Sequence, residues 1–211
     1  MNTENMIEKQ KIINEAIDEM IAEYLQYPFV YVYEADIRSR LYNILFNKLH
    51  NSDKNFQDAA YLSPSIQNVR TTLLHCEVCC GQRRHVDIGI WKVNELSNEE
   101  RSYKEKEIEI AIEIKYNWEK SITRGLKNGI RDDIQKIAKR GIKNGYFLIF
   151  RSQKINNKEL EEIDDCLNNY VNCPNNFIFY VIGLEKAFKK SGSSWYKNCD
   201  NFRENKKWRE V

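Results

Sequence analysis

Proline and glycine are scarce, at 3 and 8 of 211 residues. Such a chain is neither collagen-like nor a Pro/Gly-rich low-complexity tract. An aromatic fraction of 12% excludes a disordered composition. No apolar run approaches the roughly 20 residues of a membrane-spanning helix. Met1–Gln10 is polar and acidic, with no signal-peptide stretch. The expectation is a cytoplasmic protein without membrane contact. An excess of one charge sign is lacking too, with 33 Lys/Arg against 31 Asp/Glu. Six cysteines are present, yet a domain of this length buries a core and needs no disulfide staples. Cys76 and Cys79 form a C-x-x-C pair beside His75, which invites a zinc reading. On a strand, however, positions three apart point to opposite faces. Cys166, Cys173 and Cys199 supply no second close pair, so buried free thiols are expected.

What the chain does have is uneven charge. Residues 1–60 carry 6 Lys/Arg against 10 Asp/Glu, residues 115–151 carry 10 against 3, and residues 186–211 carry 8 against 3. The basic stretches suit a polyanion running across one face, or equally a set of solvated helix faces.

Apolar periodicity divides the chain into elements. Ile13, Ile17, Met20, Ile21 and Tyr24 make a helical stripe over Met6–Leu25, closed by Tyr27-Pro28. A second helix begins near Glu34 with Ile37, Leu41, Ile44, Leu45 and Leu49 inward. Residues 50–57 read as a loop and residues 62–67 as a break around Ser63-Pro64-Ser65. Strands over Thr71–Cys80 and Arg84–Lys92 flank a two-residue turn at Gly81-Gln82. A charged connector, 94–106, leads to the clearest strand, Glu107–Tyr116. Arg124–Asn144 contains a helix with Ile130, Ile134, Ile137, Ala138 and Ile142 inward and Gly145 as its terminating glycine. Phe147–Phe150 is a strand, Asn157–Tyr170 a helix, and Phe177–Ile182 a strand. The tail from Ser191, with Trp195, Tyr196, Phe202 and Trp208 among basic residues, reads as loop. The order ααβββαβαβ predicts a single α/β domain over 1–211, with a mixed central sheet flanked by helices. Residues 1–30 would be a helical extension.

The chemistry concentrates in Glu107-Ile-Glu-Ile-Ala-Ile-Glu-Ile-Lys115. Alternation puts Ile108, Ile110, Ile112 and Ile114 on one face and Glu107, Glu109, Ala111, Glu113 and Lys115 on the other. Glu113 and Lys115 then project side by side, with Cα atoms roughly 6.5 Å apart. In His85-Val86-Asp87-Ile88-Gly89-Ile90, Asp87 shares a face with His85 and Gly89. Were the two strands neighbours, Asp87 and Glu113 would meet. Two hard oxygen ligands suit Mg²⁺, with Mn²⁺ as a substitute. A lysine beside them would hold an attacking water or stabilise charge developing on phosphorus. An exposed edge strand would show the same alternation, and burial distinguishes the two. A second Glu-x-Lys, Glu204-Asn205-Lys206, lacks apolar flanks and is read as chance.

Asp87 followed by Ile112-Glu113-Ile114-Lys115 resembles the PD-(D/E)xK nuclease superfamily, over about Glu34–Ile182. Val86 stands where that motif often has proline. The resemblance implies a restriction-endonuclease-like αβββαβ core, metal binding by Asp87 and Glu113, and hydrolysis of DNA phosphodiesters, with a homodimer as one arrangement. It also implies a glutamate at the start of the first core helix. Glu34 continues the apolar stripe inward and is chosen over Asp36, which falls on the polar face with Arg40 and Asn43. Asp133-Ile134-Gln135-Lys136 resembles the motif on the helix after the third strand, so that Gln135 or Lys136 would approach the site. Basic residues Arg124, Lys127, Arg131, Lys136, Lys139, Arg140 and Lys143 would contact phosphates. Glu77 is an added candidate that a two-residue turn disfavours, because it pairs Glu77 with Val86 and turns it away from Asp87. His85 would sit behind the site or on the surface. The alternative function is a nucleic-acid-binding scaffold that keeps the fold without hydrolysis.

Overall fold

A computed structural model describes residues 3–52, 60–63, 66–79, 85–91, 107–168, 176–191 and 209–211. Two helices open the chain, α1 (Thr3–Gln26) and α2 (Glu34–Ser52), followed by a small hairpin of β1 (Ala60–Ser63) and β2 (Ile66–Thr71). Then come β3 (Leu74–Cys79), β4 (His85–Trp91), β5 (Ile108–Asn117), α3 (Arg124–Lys139), β6 (Asn144–Arg151), α4 (Asn157–Asn168), β7 (Asn176–Ile182), β8 (Ala187–Ser191) and β9 (Arg209–Glu210). Strands β3 to β9 form one seven-stranded sheet in sequence order. The pairs β5–β6 and β6–β7 are parallel and the rest antiparallel. The architecture is therefore α/β with a mixed sheet, the parallel centre arising from the crossovers through α3 and α4. No helix among the described residues is long and apolar enough to cross a membrane.

The two faces can be read from contacts. Tyr24 of α1 meets Phe150 edge-on at 4.9 Å, and Asn14 accepts from the Tyr180 hydroxyl. Phe150 pairs with Tyr116, and Tyr180 with Leu148, so α1 covers the face of β5 that carries Ile110, Ile112 and Ile114. Helix α3 covers the opposite face, where Lys115 lies against Gly129 and Lys136 against Glu113. Helix α2 packs along α1 and is tied to it by Arg40–Glu23 and Lys48–Glu19. One hydrophobic cluster runs from Ile12 of α1 to Ala187 of β8.

Several boundaries differ from the sequence reading, each for a local reason. Helix α2 runs on to Ser52, three residues into the expected loop. Ser63 and Ile66 pair across a hairpin instead of marking a simple break. Helix α3 is capped by Thr123, whose side chain accepts from Leu126 N, and stops at Lys139. Its terminating glycine is Gly141, at φ +67°, whose N–H donates to the Ala138 carbonyl. Gly145 lies inside β6 instead, where a Cβ would stand 2.5 Å from the Phe177 ring. Ile142 is buried but outside the helix. The tail from Ser191 is not loop throughout, because Arg209–Glu210 pairs with the strand Ala187–Ser191. Residues 192–208, including Trp195, Tyr196, Phe202 and Trp208, lie outside the described residues, as does the turn at 80–84. Cys76 is half-buried and Cys166 buried, both free thiols.

Candidate active site

Strand β5 is interior to the sheet, third of seven. Glu113 is 2% exposed, so the exposed-edge reading of its alternation fails. The β4–β5 ladder starts at Ile88↔Ile112, which sets Asp87 opposite Glu113. Asp87 uses Oδ2 to accept from the Ile114 backbone N–H at 2.8 Å, and its Oδ1 lies 3.3 Å from the Arg38 guanidinium. Lys136 Nζ stands 2.7 Å from Glu113 Oε1, while Lys115 Nζ stands 2.7 Å from Asp133 Oδ2. Both are ion pairs without hydrogen-bond alignment at the acceptor oxygen. Lys136 also donates to Asp133 Oδ1 at 2.9 Å and to the His85 carbonyl at 2.6 Å. Glu34, at the start of α2, feels the charges of Lys115, Asp87 and Asp133 and the dipole of the Tyr116 backbone N–H.

The structure thus gathers Glu34, Asp87, Glu113 and Lys115, together with Asp133, Lys136 and Arg38. Glu77 joins them, contrary to the parity argument. The β3–β4 register pairs Val78 with Val86 and Cys76 with Ile88, so Glu77 falls opposite Asp87 on its face. The register differs by one residue from that of a two-residue turn, which reverses every face assignment on β3. At φ +52°, Glu77 is strained for a residue with a Cβ, and its carboxylate meets Arg38, which thereby bridges it to Asp87. His85 shares this face but is exposed, its ring 3.9 Å from Glu77. Glu109 departs from the alternation. The ladder shifts between Ile90 and Trp91, leaving Glu109 as an extra residue between Ile110 and Ile108. Its carboxylate pairs with Lys9 of α1 at 3.0 Å, on the other side of the sheet.

One phosphate-contact assignment needs correction. Lys136 is buried at 9% exposure and belongs to the acidic cluster, because α3 lays its inward face over Glu113. Lys127 is held by Glu162 of α4 at 2.9 Å. Arg124, Arg131, Lys139, Arg140 and Lys143 are exposed, and Gln135 is half-buried beside the cluster's helix positions. Asp36, the alternative to Glu34, instead fixes the loop before α2 by accepting from Val32 and Tyr33 N–H. Sequence reasoning missed Arg38 and the bridging role of Asp133. Their only signal was a charge on a helix turn next to a candidate acid.

Electrostatics follow from this packing. Burial pushes the Glu113 carboxyl well above its usual range, Asp133 and Asp87 add to that, and Lys136 only partly opposes it. Burial also raises Glu34, offset in part by Lys115. Burial alone would lower Lys115, but Asp133, Glu34 and Asp87 outweigh it and hold the ammonium above its usual range. These neighbours favour the charged form of Lys115. The cluster's acids, Glu34, Glu77, Asp87, Glu113 and Asp133, outnumber its bases, Arg38, Lys115 and Lys136. Their donor atoms are hard oxygens, the set that suits Mg²⁺ and not a thiolate-bound zinc. Among the described residues, no three His, Cys, Asp or Glu side chains converge as a preformed metal cage. Mg²⁺ needs only one or two carboxylates with water and phosphate. Compared with family models, curated proteins and solved structures, the chain matches none.

Proposed function

We propose that this chain is a Mg²⁺-dependent nuclease that hydrolyses DNA phosphodiester bonds on a restriction-endonuclease-like αβββαβ core. One observation carries the reading. Asp87 and Glu113 face each other across neighbouring strands, with Lys115, two residues beyond Glu113 and paired with Asp133, in a buried cluster with more acids than bases. Asp87 and Glu113 would hold the ion, and Mn²⁺ would serve in its place. When bound, the ion polarises a phosphoryl oxygen and makes water more acidic. Asp87 is oriented for this by the Ile114 N–H, and Glu113 by Lys136. Lys115, aimed by Asp133, holds the attacking water or the charge developing on phosphorus. Glu34 accepts a proton or a hydrogen bond from water on the α2 side of Lys115. Exposed Arg131, Lys139 and Arg140 would meet phosphates farther along the strand, which makes binding salt-dependent.

A second reading, a nucleic-acid-binding scaffold without hydrolysis, is favoured by Lys136 and Arg38 already lying against the two carboxylates. Cleavage of supercoiled plasmid and of single-stranded DNA, in Mg²⁺ or Mn²⁺ against EDTA, separates the two. The nuclease reading expects metal-dependent nicking that Lys115→Ala abolishes. Salt-dependent binding without cutting, in both proteins, supports the scaffold. Neither cutting nor binding sinks both.

A further inference from the structure

The segment Tyr27-Pro-Phe-Val-Tyr-Val-Tyr33 joins α1 to α2 and ends directly before Glu34. Phe29 is 71% exposed, Val30 and Tyr33 66% each. These side chains do not reach water through a loose loop. Tyr31 is buried, stacks on Tyr24 and donates its hydroxyl to Glu23. Asp36 Oδ2 accepts from both Val32 N at 3.0 Å and Tyr33 N at 2.9 Å. The loop is anchored on its inner side and presents its rings outward.

A second exposed aromatic follows the site along the chain, just past the end of β5. Trp118 follows Lys115 by three residues, is 48% exposed and packs edge-on against Tyr116 at 4.7 Å. Its carbonyl is fixed by Ser152 Oγ, and the neighbouring Glu119 carbonyl by the buried Arg151. The two aromatic groups flank one pair of interacting charges, since Tyr33 directly precedes Glu34, Trp118 follows Lys115 by three residues, and Glu34 and Lys115 act on each other electrostatically. Lys120 and Arg124 are exposed just beyond Trp118, without an ion pair to any described residue.

Deepening the nuclease reading, on which it rests, we propose that Phe29, Tyr33 and Trp118 form a stacking rim for unpaired bases of a single-stranded stretch entering the Asp87–Glu113 site. Flat rings in water can stack only on bases that are already out of a duplex, and such stacking tolerates any sequence. A protein partner with an apolar face would instead have to cover Glu34, Arg38 and Lys115 alongside the rings, removing their water without replacing it. A nucleic acid brings phosphates and their cations to those charges.

The test is equilibrium binding, in EDTA so that nothing is cut, of short oligo-dT and of an abasic oligomer of equal length. Phe29→Ala with Tyr33→Ala, and separately Trp118→Ala, should weaken oligo-dT binding about tenfold or more and leave abasic binding unchanged. All three positions are exposed, and an unchanged circular dichroism spectrum confirms folding. Equal loss for both oligomers, or no loss, overturns the rim. So does a rim whose removal only dissolves a concentration-dependent dimer. The reading without metal separates the two claims. Base-dependent binding by a protein that never cuts keeps the rim and sinks the nuclease, whereas rim variants that bind and cut like wild type do the reverse.

Discussion

Strand β5 buries two glutamates four residues apart, and they live in different surroundings. Glu109 is turned by a bulge onto the α1 side, where Lys9 matches it one to one and both side chains are nearly inaccessible. Glu113 sits on the α3 side among Asp87, Asp133, Glu34 and Glu77, with fewer cations than acids. Each keeps one buried oxygen without a hydrogen-bond partner, so an orphaned oxygen does not mark a site. Burial does not mark it either. The count of partners differs: the Glu109 pair is closed, whereas the Glu113 cluster holds more acids than bases, an arrangement that a divalent cation would complete.

The largest expected effect falls on catalysis. Glu113→Gln or Lys115→Ala should reduce Mg²⁺-dependent cleavage by about 10²–10³-fold or more, the loss typical of removing one group that stabilises transition-state charge. Replacing the closed pair together, Lys9→Met with Glu109→Leu, should leave the cleavage rate unchanged, measured on the same plasmid. Stability should show the reverse order. Glu109→Gln strands Lys9 in the core and should cost about 3–5 kcal/mol by denaturant unfolding. Glu113→Gln, which removes one acid from an acid-rich cluster, should stabilise the metal-free protein.

The pH dependence extends the same contrast. Glu113 and Glu34 have folded-state values raised above those of the unfolded chain. Below the unfolded value of about 4.3 both states hold the proton and stability is complete. As pH rises toward the folded values the unfolded chain releases protons first, so stability falls. Melting temperature of the metal-free protein should therefore drop from acid toward neutral pH, and the rise produced by Mg²⁺ should grow over the same interval. A Mg²⁺ effect that shrinks with rising pH would break the comparison. The smallest effect is expected for Asp133→Asn, which loosens Lys115 while Lys136 still holds Glu113. A loss of about tenfold in kcat/KM, roughly 1.4 kcal/mol, with an unchanged melting temperature, is the outcome to look for.

Much of this was legible from residues alone, because alternation is a local property. The isoleucines of β5 declared a strand with one apolar face, and Glu113 and Lys115 shared the other by parity, while its interior place in the sheet came only with burial. Asp87 met Glu113 because consecutive antiparallel strands usually pair. What failed depended on register or docking. Glu77 was assigned to the wrong face because the β3–β4 turn length cannot be read from Gly81-Gln82. Glu109 was assigned to the wrong side because nothing in a run of alternating isoleucines announces a bulge. Arg38 and the bridging role of Asp133 required knowing how α2 and α3 dock on the sheet, as did the choice of Lys136 over Gln135 as the residue that reaches Glu113. Gly145 looked like a helix stop because it follows the last apolar position, but the chain had already turned at Gly141.

The central claim is that the acid-rich end of β5, and not its sealed end, is a nuclease centre. Nicking of supercoiled plasmid in Mg²⁺ and in EDTA, by wild type, Lys115→Ala and the Lys9→Met/Glu109→Leu pair, tests it most directly. The account predicts metal-dependent nicking by wild type and by the pair variant, and none by Lys115→Ala. Nicking that survives in Lys115→Ala, or that disappears from a folded pair variant, would contradict it.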